Sequence, residues 1–490
     1  MDDLPFRSAS ELAAALRDRT VGCRELLERH LERVEALNPA INAVVTLDAE
    51  RARRRADEAD GALARGEAWG PLHGLPMTLK DSWETAGLRT TSGAPEFAGH
   101  VPAADAPAAR RLIDAGAIVF GKTNLPAHAA DLQSHNPLFG TTVNPWDPAR
   151  TCGGSSGGAA AALAAGFTPL ELGSDIGGSI RTPAGFCGVF GHKTSYGLIP
   201  MRGHIPGPPG SLAELDIGVA GPMARTAADL SLALDLLAGP LPEEAVAWRL
   251  RLPGPRRRSP REFRVAAWLD DPACLVDGAV ADVCRAAVET LRRAGVPVDE
   301  AARPGFAFAE AWDLYLRLMY AATSGGPTEA QFARLATAAA AAPPGEDGPA
   351  ARFARGITQR HRDWLPAHEA RLRMRAAWTA FFRDYDVLLC PVTPTAAIPH
   401  DHSEPINRRR IVVNGKARPY WDQLAWVGLV GVAGLPATTA PVGLTPDGLP
   451  VGIQVVGPYL EDHTAIAFAG HLAEMTGGFR RPPRLERIPP

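Results

Sequence analysis

Residues 153–158 read Gly-Gly-Ser-Ser-Gly-Gly and run straight into the alanine-rich stretch 159–165, and residues 173–181 read Gly-Ser-Asp-Ile-Gly-Gly-Ser-Ile-Arg. Glycines in such turns let backbone approach a ligand closely, and a turn that opens a helix leaves N–H groups pointing outward. Around these turns, short apolar runs (75–79, 117–120, 170–172, 189–190) alternate with helical segments such as 106–115 and 158–165. That alternation is the pattern of an α/β layered domain whose strands are largely buried.

Working outward, residues 8–36 place apolar side chains (Leu12, Leu16, Leu26, Leu27, Leu31, Val34) at helical spacing. They predict two amphipathic helices, with Ser10 as the first N-cap and an end near Asn38–Pro39. Residues 51–64 form another charged helix. The Gly- and Pro-rich stretch 197–222 reads as a long loop beside the core, and 241–262 as a surface linker. After it come a strand (263–269), an amphipathic helix (280–294) and a helical region (328–385) broken at Ala342-Pro-Pro-Gly345. The strand candidates 387–390 and 451–456 then return to the sheet. This predicts one domain over 1–490: N-terminal helices at about 8–65, a core at about 70–240, and a helical excursion at about 279–385.

Hydrophobic residues make up 46% and charged residues 21%, as in ordinary folded proteins, and the net charge of −3 argues against a nucleic-acid binder. The six cysteines include no CxxC pair, which fits reduced, buried thiols in a cytoplasmic protein better than disulfides or zinc. The acidic N-terminus is no signal peptide, and no stretch approaches the ~18 apolar residues that span a bilayer. No metal-ligand spacing is present, so neither metal nor organic cofactor is expected.

A third segment, His73-Gly-Leu-Pro-Met-Thr-Leu-Lys-Asp81, ends an apolar run on Lys80. A lysine there is ordinarily a solvent-exposed strand end, and a Gly/Ser turn is often only a tight loop. Taken together, however, the three segments closely resemble the amidase-signature family. The Gly-Gly-Ser-Ser-Gly-Gly turn and the Ser-Asp-x-Gly-Gly-Ser-x-Arg stretch follow one another at the family's spacing. Gly121-Lys-Thr-Asn124, Asn144-Pro-Trp146 and Gly221-Pro-Met-Ala-Arg225 are similar to its text as well.

The resemblance implies an α/β/α sandwich around a large mixed β-sheet and cleavage of amide C–N bonds. By position it implies Ser179 as nucleophile, Ser155 (held by a cis peptide) as relay, Lys80 as base, and the amides of Ile176, Gly177, Gly178 and Ser179 as oxyanion hole. A serine hydroxyl needs a base to take its proton, and a lysine serves only when neutral, which burial favours. The segment before Asn144 should wall the site, with small Ala129 and Ala130 widening it for bulky acyl or aryl amides and aryl carbamates. Residues 203–210 would form a lid, and Trp421 and Trp426 would either contact substrate or pack in the core. Asp175 and Arg181 read as a structural ion pair.

Two further motifs match on paper. Residues 116–123 fit GxxxxGK[ST], but their middle is apolar and β-prone, so they read as a strand rather than a phosphate loop. Residues 153–157 fit GxSxG, yet no histidine sits in a recognisable triad context. Within the family, the alternative is the amidase component of a tRNA-dependent amidotransferase, whose glutamine-pocket region residues 408–434 do not resemble. The expected partner is a small-molecule amide, with no nucleic acid and no membrane, and the expected assembly is a monomer or homodimer.

Overall fold

In the computed structural model, which describes residues 4–486 except Pro206, Pro344 and Asp347, eight strands hydrogen-bond into one mixed sheet. Their order is Val298–Asp299, Val265–Ala267, Val387–Pro391, Pro450–Val456, Ala437–Leu444, Phe190–Lys193, Val219–Ala224 and Leu170–Asp175. Val265–Ala267 runs parallel to both of its neighbours, and the remaining pairs are antiparallel. The strands Leu170–Asp175, Phe190–Lys193 and Pro450–Val456 are buried along their whole length. Strands covered on both faces lose the apolar–polar alternation of a half-exposed sheet.

The cover comes from helices. Ala227–Leu237, Gly278–Arg293 and Asp462–Thr476 pack on one face, Gly157–Ala165 and Arg181–Cys187 on the other, giving the expected sandwich. Gly157–Ala165 and Arg181–Cys187 are buried throughout. Such a helix needs small residues: a Cβ added at Gly158 would overlap the Asn124 backbone. A second sheet, Val44–Leu47, Ile118–Thr123 and Pro76–Lys80 with Ile118–Thr123 central, lies beside Leu170–Asp175. Thr78 Oγ1 donates to Glu171 Oε1 at 2.5 Å across that junction, so the end of Pro76–Lys80 is buried rather than solvated.

Several sequence expectations shift. The first helix, Ala9–Arg17, is capped by Ser8, not Ser10: Ser8 and Glu11 form a reciprocal capping box, while Ser10 Oγ donates to Asp229. The second, Cys23–Ile41, continues past Pro39 and ends at left-handed Asn42 (φ 58°). The segment read as loop up to residue 222 contains four of the six residues of the buried strand Val219–Ala224. Residues 118–123 are the expected strand, with Lys122 buried and its Nζ donating to Trp83 O. Of the expected excursion 279–385, Gly278–Arg293 packs on the sheet and Val298–Asp299 joins it, a correction to its start; the rest comprises Phe308–Ala322, Glu329–Ala341, Pro349–Ile357 and His361–Phe381. Its break falls at 342–348, where Pro344 lies outside the described residues.

Candidate active site

Lys80 closes the strand Pro76–Lys80 with its side chain fully buried. Its Nζ donates to Ser155 Oγ at 2.6 Å and to Ser174 Oγ at 2.9 Å. Burial pulls the ammonium down to about 7, against the opposing pull of Asp175 and Glu171, which favour the charged form. Among the described residues two hydroxyls, and no carboxylate, meet the amine directly, so burial favours its neutral form.

Ser155 sits in the turn ahead of Gly157–Ala165, after the cis bond Gly154–Ser155 that the resemblance implies. Gly153 has φ 86°, and a Cβ there would stand 2.8 Å from Pro183 Cα. At Gly154 a Cβ would meet Asp131 O and the backbone of Leu132 and Gln133 at 2.7–2.8 Å. Both glycines are thus required by close backbone approach. Ser134 fastens the turn by donating to Gly153 O (3.0 Å) and accepting from Gly157 N (3.2 Å).

Ser179 lies on the loop between the strand Leu170–Asp175 and the helix Arg181–Cys187, and its carbonyl accepts from Ser156 N at 3.0 Å. That bond lays the two serine turns side by side. The loop is organised by Asp175. Its carboxylate accepts from Gly178 N (2.9 Å), Ile180 N (3.1 Å), Arg181 Nε (3.0 Å) and Arg181 Nη2 (2.8 Å). Burial pushes this carboxyl up, but the Arg181 guanidinium overrides it and holds it at about 2. Arg181 Nη1 donates onward to Val427 O (2.9 Å) and Gln454 Oε1 (2.8 Å), so the expected ion pair ties the loop to the helix Ala425–Gly431 and the strand Pro450–Val456.

Ile176, Gly177, Gly178 and Ser179 do not all remain available as donors. Gly178, with φ 84°, donates its N–H to Asp175. The amides of Ile176, Gly177 and Ser179 meet no acceptor among the described residues. Tyr315, reaching in from Phe308–Ala322, donates from its hydroxyl to Ile176 O at 3.0 Å. A Cβ at Gly177 would stand 3.0 Å from that same hydroxyl.

Ala129 is half-buried with φ 57°, and Ala130 is exposed, on the segment whose next residues cover Gly154. Trp426 is core: it is fully buried against Phe308 and Trp268, with ring centroids 4.8 and 6.4 Å away. Trp421 is half-buried and donates from Nε1 to Asn407 Oδ1 at 2.8 Å. Of the expected lid 203–210, Pro206 lies outside the described residues. Gly203 and Ile205 are held against the lysine segment, Glu84 N donating to Gly203 O (2.9 Å) and Ile205 N to Ser82 O (2.8 Å). Two residues near Lys80 have no counterpart among the sequence expectations. Ser174 lies inside the second glycine motif without an expected role, and His204, whose Nε2 is 2.8 Å from Ser174 Oγ, belongs to the Gly/Pro stretch.

The family model described as Amidase matches residues 25–466. The chain belongs to the amidase-signature family. Enzymes of this family are amide hydrolases acting on C–N bonds, and this chain is an amidase. It is 35% identical over 457 residues to an indoleacetamide hydrolase of Bradyrhizobium diazoefficiens, covering 93% of this chain and 84% of that protein. It is 33% identical to the A-subunit of the glutamyl-tRNA(Gln) amidotransferase of Acidothermus cellulolyticus, covering 94% and 93% respectively. A crystal structure of an amidase superposes with a TM-score of 0.78 at 30% identity, covering 96% of this chain and 100% of that one. Among the described residues no helix is long and apolar enough to cross a membrane, and no His/Cys/Asp/Glu group is arranged to hold a metal ion. All six cysteines are free and buried.

Proposed function

We propose that this amidase is a stand-alone hydrolase of carboxylic amides, with aryl amides and aryl carbamates among its substrates, working through an acyl-enzyme on Ser179. The observation that carries the reading is the buried Lys80 amine, held near 7 and 2.6 Å from Ser155 Oγ. Ser155 takes the proton of Ser179 Oγ while passing its own to neutral Lys80. Ser179 Oγ bonds to the carbonyl carbon, and the carbonyl π pair moves onto oxygen. The amides of Ile176, Gly177 and Ser179 receive that oxyanion, each such donor being worth about 10²–10³ in rate.

As the tetrahedral intermediate collapses, the proton returns from Lys80 through Ser155 to the leaving nitrogen, because an amide nitrogen departs only when protonated. Water then attacks the acyl ester by the same relay, and Ser179 is regenerated with release of the acid. The likeness to an indoleacetamide hydrolase supports an arylacetamide-type acyl group. The likeness to an amidotransferase component supports the other branch, a glutaminase dependent on partner proteins.

The test is turnover by the purified chain alone of short aliphatic amides, anilides, an arylacetamide, an ester, aryl carbamates and glutamine. Turnover of anilide or arylacetamide with release of one equivalent of amine before steady state supports the reading. Activity restricted to glutamine, or requiring added partner proteins, overturns it.

A further inference from the structure

Lys80 Nζ has two hydroxyl neighbours, and what distinguishes them decides where its lone pair points. Ser155 leads to the nucleophile. Ser174, one residue before Asp175 on the strand Leu170–Asp175, leads the other way, to His204 Nε2 at 2.8 Å. The imidazole is not a mobile surface ring. It packs edge-on against Trp83, centroids 4.7 Å apart and planes at 63°. Its backbone is pinned by an antiparallel bridge to Trp83 and by the bonds from Glu84 N and Ile205 N on either side. These contacts place Nε2 against a hydroxyl that already touches the lysine amine.

We propose that His204 is a positioning residue for the Lys80 base: its neutral Nε2 accepts the Ser174 hydroxyl proton, which obliges Ser174 Oγ to accept from Lys80 and leaves the lysine lone pair to Ser155. Ser174 has one proton to give. When it goes to His204, the lone pairs of Ser174 face Lys80, and Nζ donates one N–H to them. All donors then run in one direction, from Ser179 through Ser155, Lys80 and Ser174 to His204. Hydrogen bonds aligned in this way polarise one another, so the ammonium formed during attack is better stabilised.

The proton inventory balances. His204 neither gains nor loses a proton through the cycle; it fixes the direction in which Lys80 accepts one. The charged group acting on the ring is Lys80, with Asp175 and Glu171 acting on Lys80 from the neighbouring strand. Burial and the Lys80 charge both hold the imidazole well below its usual range, consistent with a neutral acceptor.

The inference rests on Lys80 being the base, and the test separates the two. In folded His204→Leu, the acceptor is gone and Ser174 is free to turn its proton onto Nζ. The plateau kcat should fall about tenfold or more, a fraction of the 10²–10⁴ that a general base supplies. KM should stay within about twofold, and the kinetic inflection near pH 7 should move to lower pH. His204→Gln, whose side-chain oxygen reaches the Nε2 position, should recover most of kcat and return the inflection. Adding His204→Leu to Ser174→Ala should cost nothing further.

Leu and Gln variants equally impaired, wild-type kinetics in His204→Leu, or additive losses in the double variant would each overturn the positioning role. None of these outcomes bears on the base itself, which fails separately if Lys80→Ala retains turnover.

Discussion

Acidification offers the sharpest probe of the proposed chemistry, because Lys80 is the group whose protonation stops it. With its value near 7, about 90% of the amine is neutral at pH 8 and about 1% at pH 5, so kcat/KM should fall roughly 90-fold between them. The sign follows from the role: the base works deprotonated, so activity is present above 7 and lost below. An ordinary lysine at 10.5 would be only about 0.3% neutral at pH 8, and the rate would climb tenfold per unit to pH 10. The assay is initial-rate kcat/KM for a chromogenic anilide from pH 5 to 10.

Glu171, buried on the adjacent strand, is itself pushed up to about 7 by burial and must be excluded as the source. Because its carboxylate favours charged Lys80, Glu171→Gln should keep the inflection but shift it downward. A profile flat to pH 5, or one still rising at pH 10, would refute a buried lysine base. Disappearance of the inflection in folded Glu171→Gln would transfer it to the glutamate.

Other expectations follow from the same geometry. Ser179→Ala should remove nearly all turnover with the fold intact by circular dichroism, while Ser155→Ala should be milder, since water can replace a relay hydroxyl. Lys80→Ala should cost about 10²–10⁴-fold in kcat, read in the same assay. Arg181→Met should lower stability by about 3–5 kcal/mol in denaturant melts, because Asp175 would be left charged and unpaired in the interior. Ala129 has a left-handed backbone that a bulky side chain would strain, so the pocket wall is better tested at exposed Ala130. Ala130→Phe should lower kcat/KM on the order of tenfold for an anilide and much less for acetamide. Equal losses for both substrates would remove Ala130 from the wall.

The residues legible in the sequence were those in glycine-rich turns and in the segments that resemble the family. Gly153, Gly154 and Ser155 declare a tight turn because glycine is needed where backbones meet, and Gly177 and Gly178 do the same before Ser179. The sandwich was legible because strands buried on both faces leave unbroken apolar runs. Val219–Ala224 was hidden by its own Gly221 and Pro222. Gly221 is there because the His192 backbone passes where a side chain would be, and Pro222 pairs with Leu172 just past the last residue bonded to Phe190–Lys193.

Ser174 and His204 were illegible for a different reason. A hydroxyl and an imidazole carry no local signature, and only the folding of residue 204 back over Trp83 makes them neighbours. The bond from Gly178 N to Asp175 was illegible as well, because the identity of a turn glycine does not reveal which acceptor takes its N–H. Tyr315 was illegible too, since its ring lies within an ordinary amphipathic helix and its partner is 139 residues away.

The grip of Arg181 on Val427 O and Gln454 Oε1 has a consequence for the order in which the enzyme comes into being. All the reactive side chains have been synthesised once residue 204 is made, yet the arginine that shapes the nucleophile loop waits for partners 246 and 273 positions later. A nascent chain emerging from the ribosome therefore carries Lys80, Ser155 and Ser179 long before the loop around Ser179 has all its partners. The hydrogen bonds that fasten this loop from outside therefore form only after Val427 and Gln454 have joined the chain.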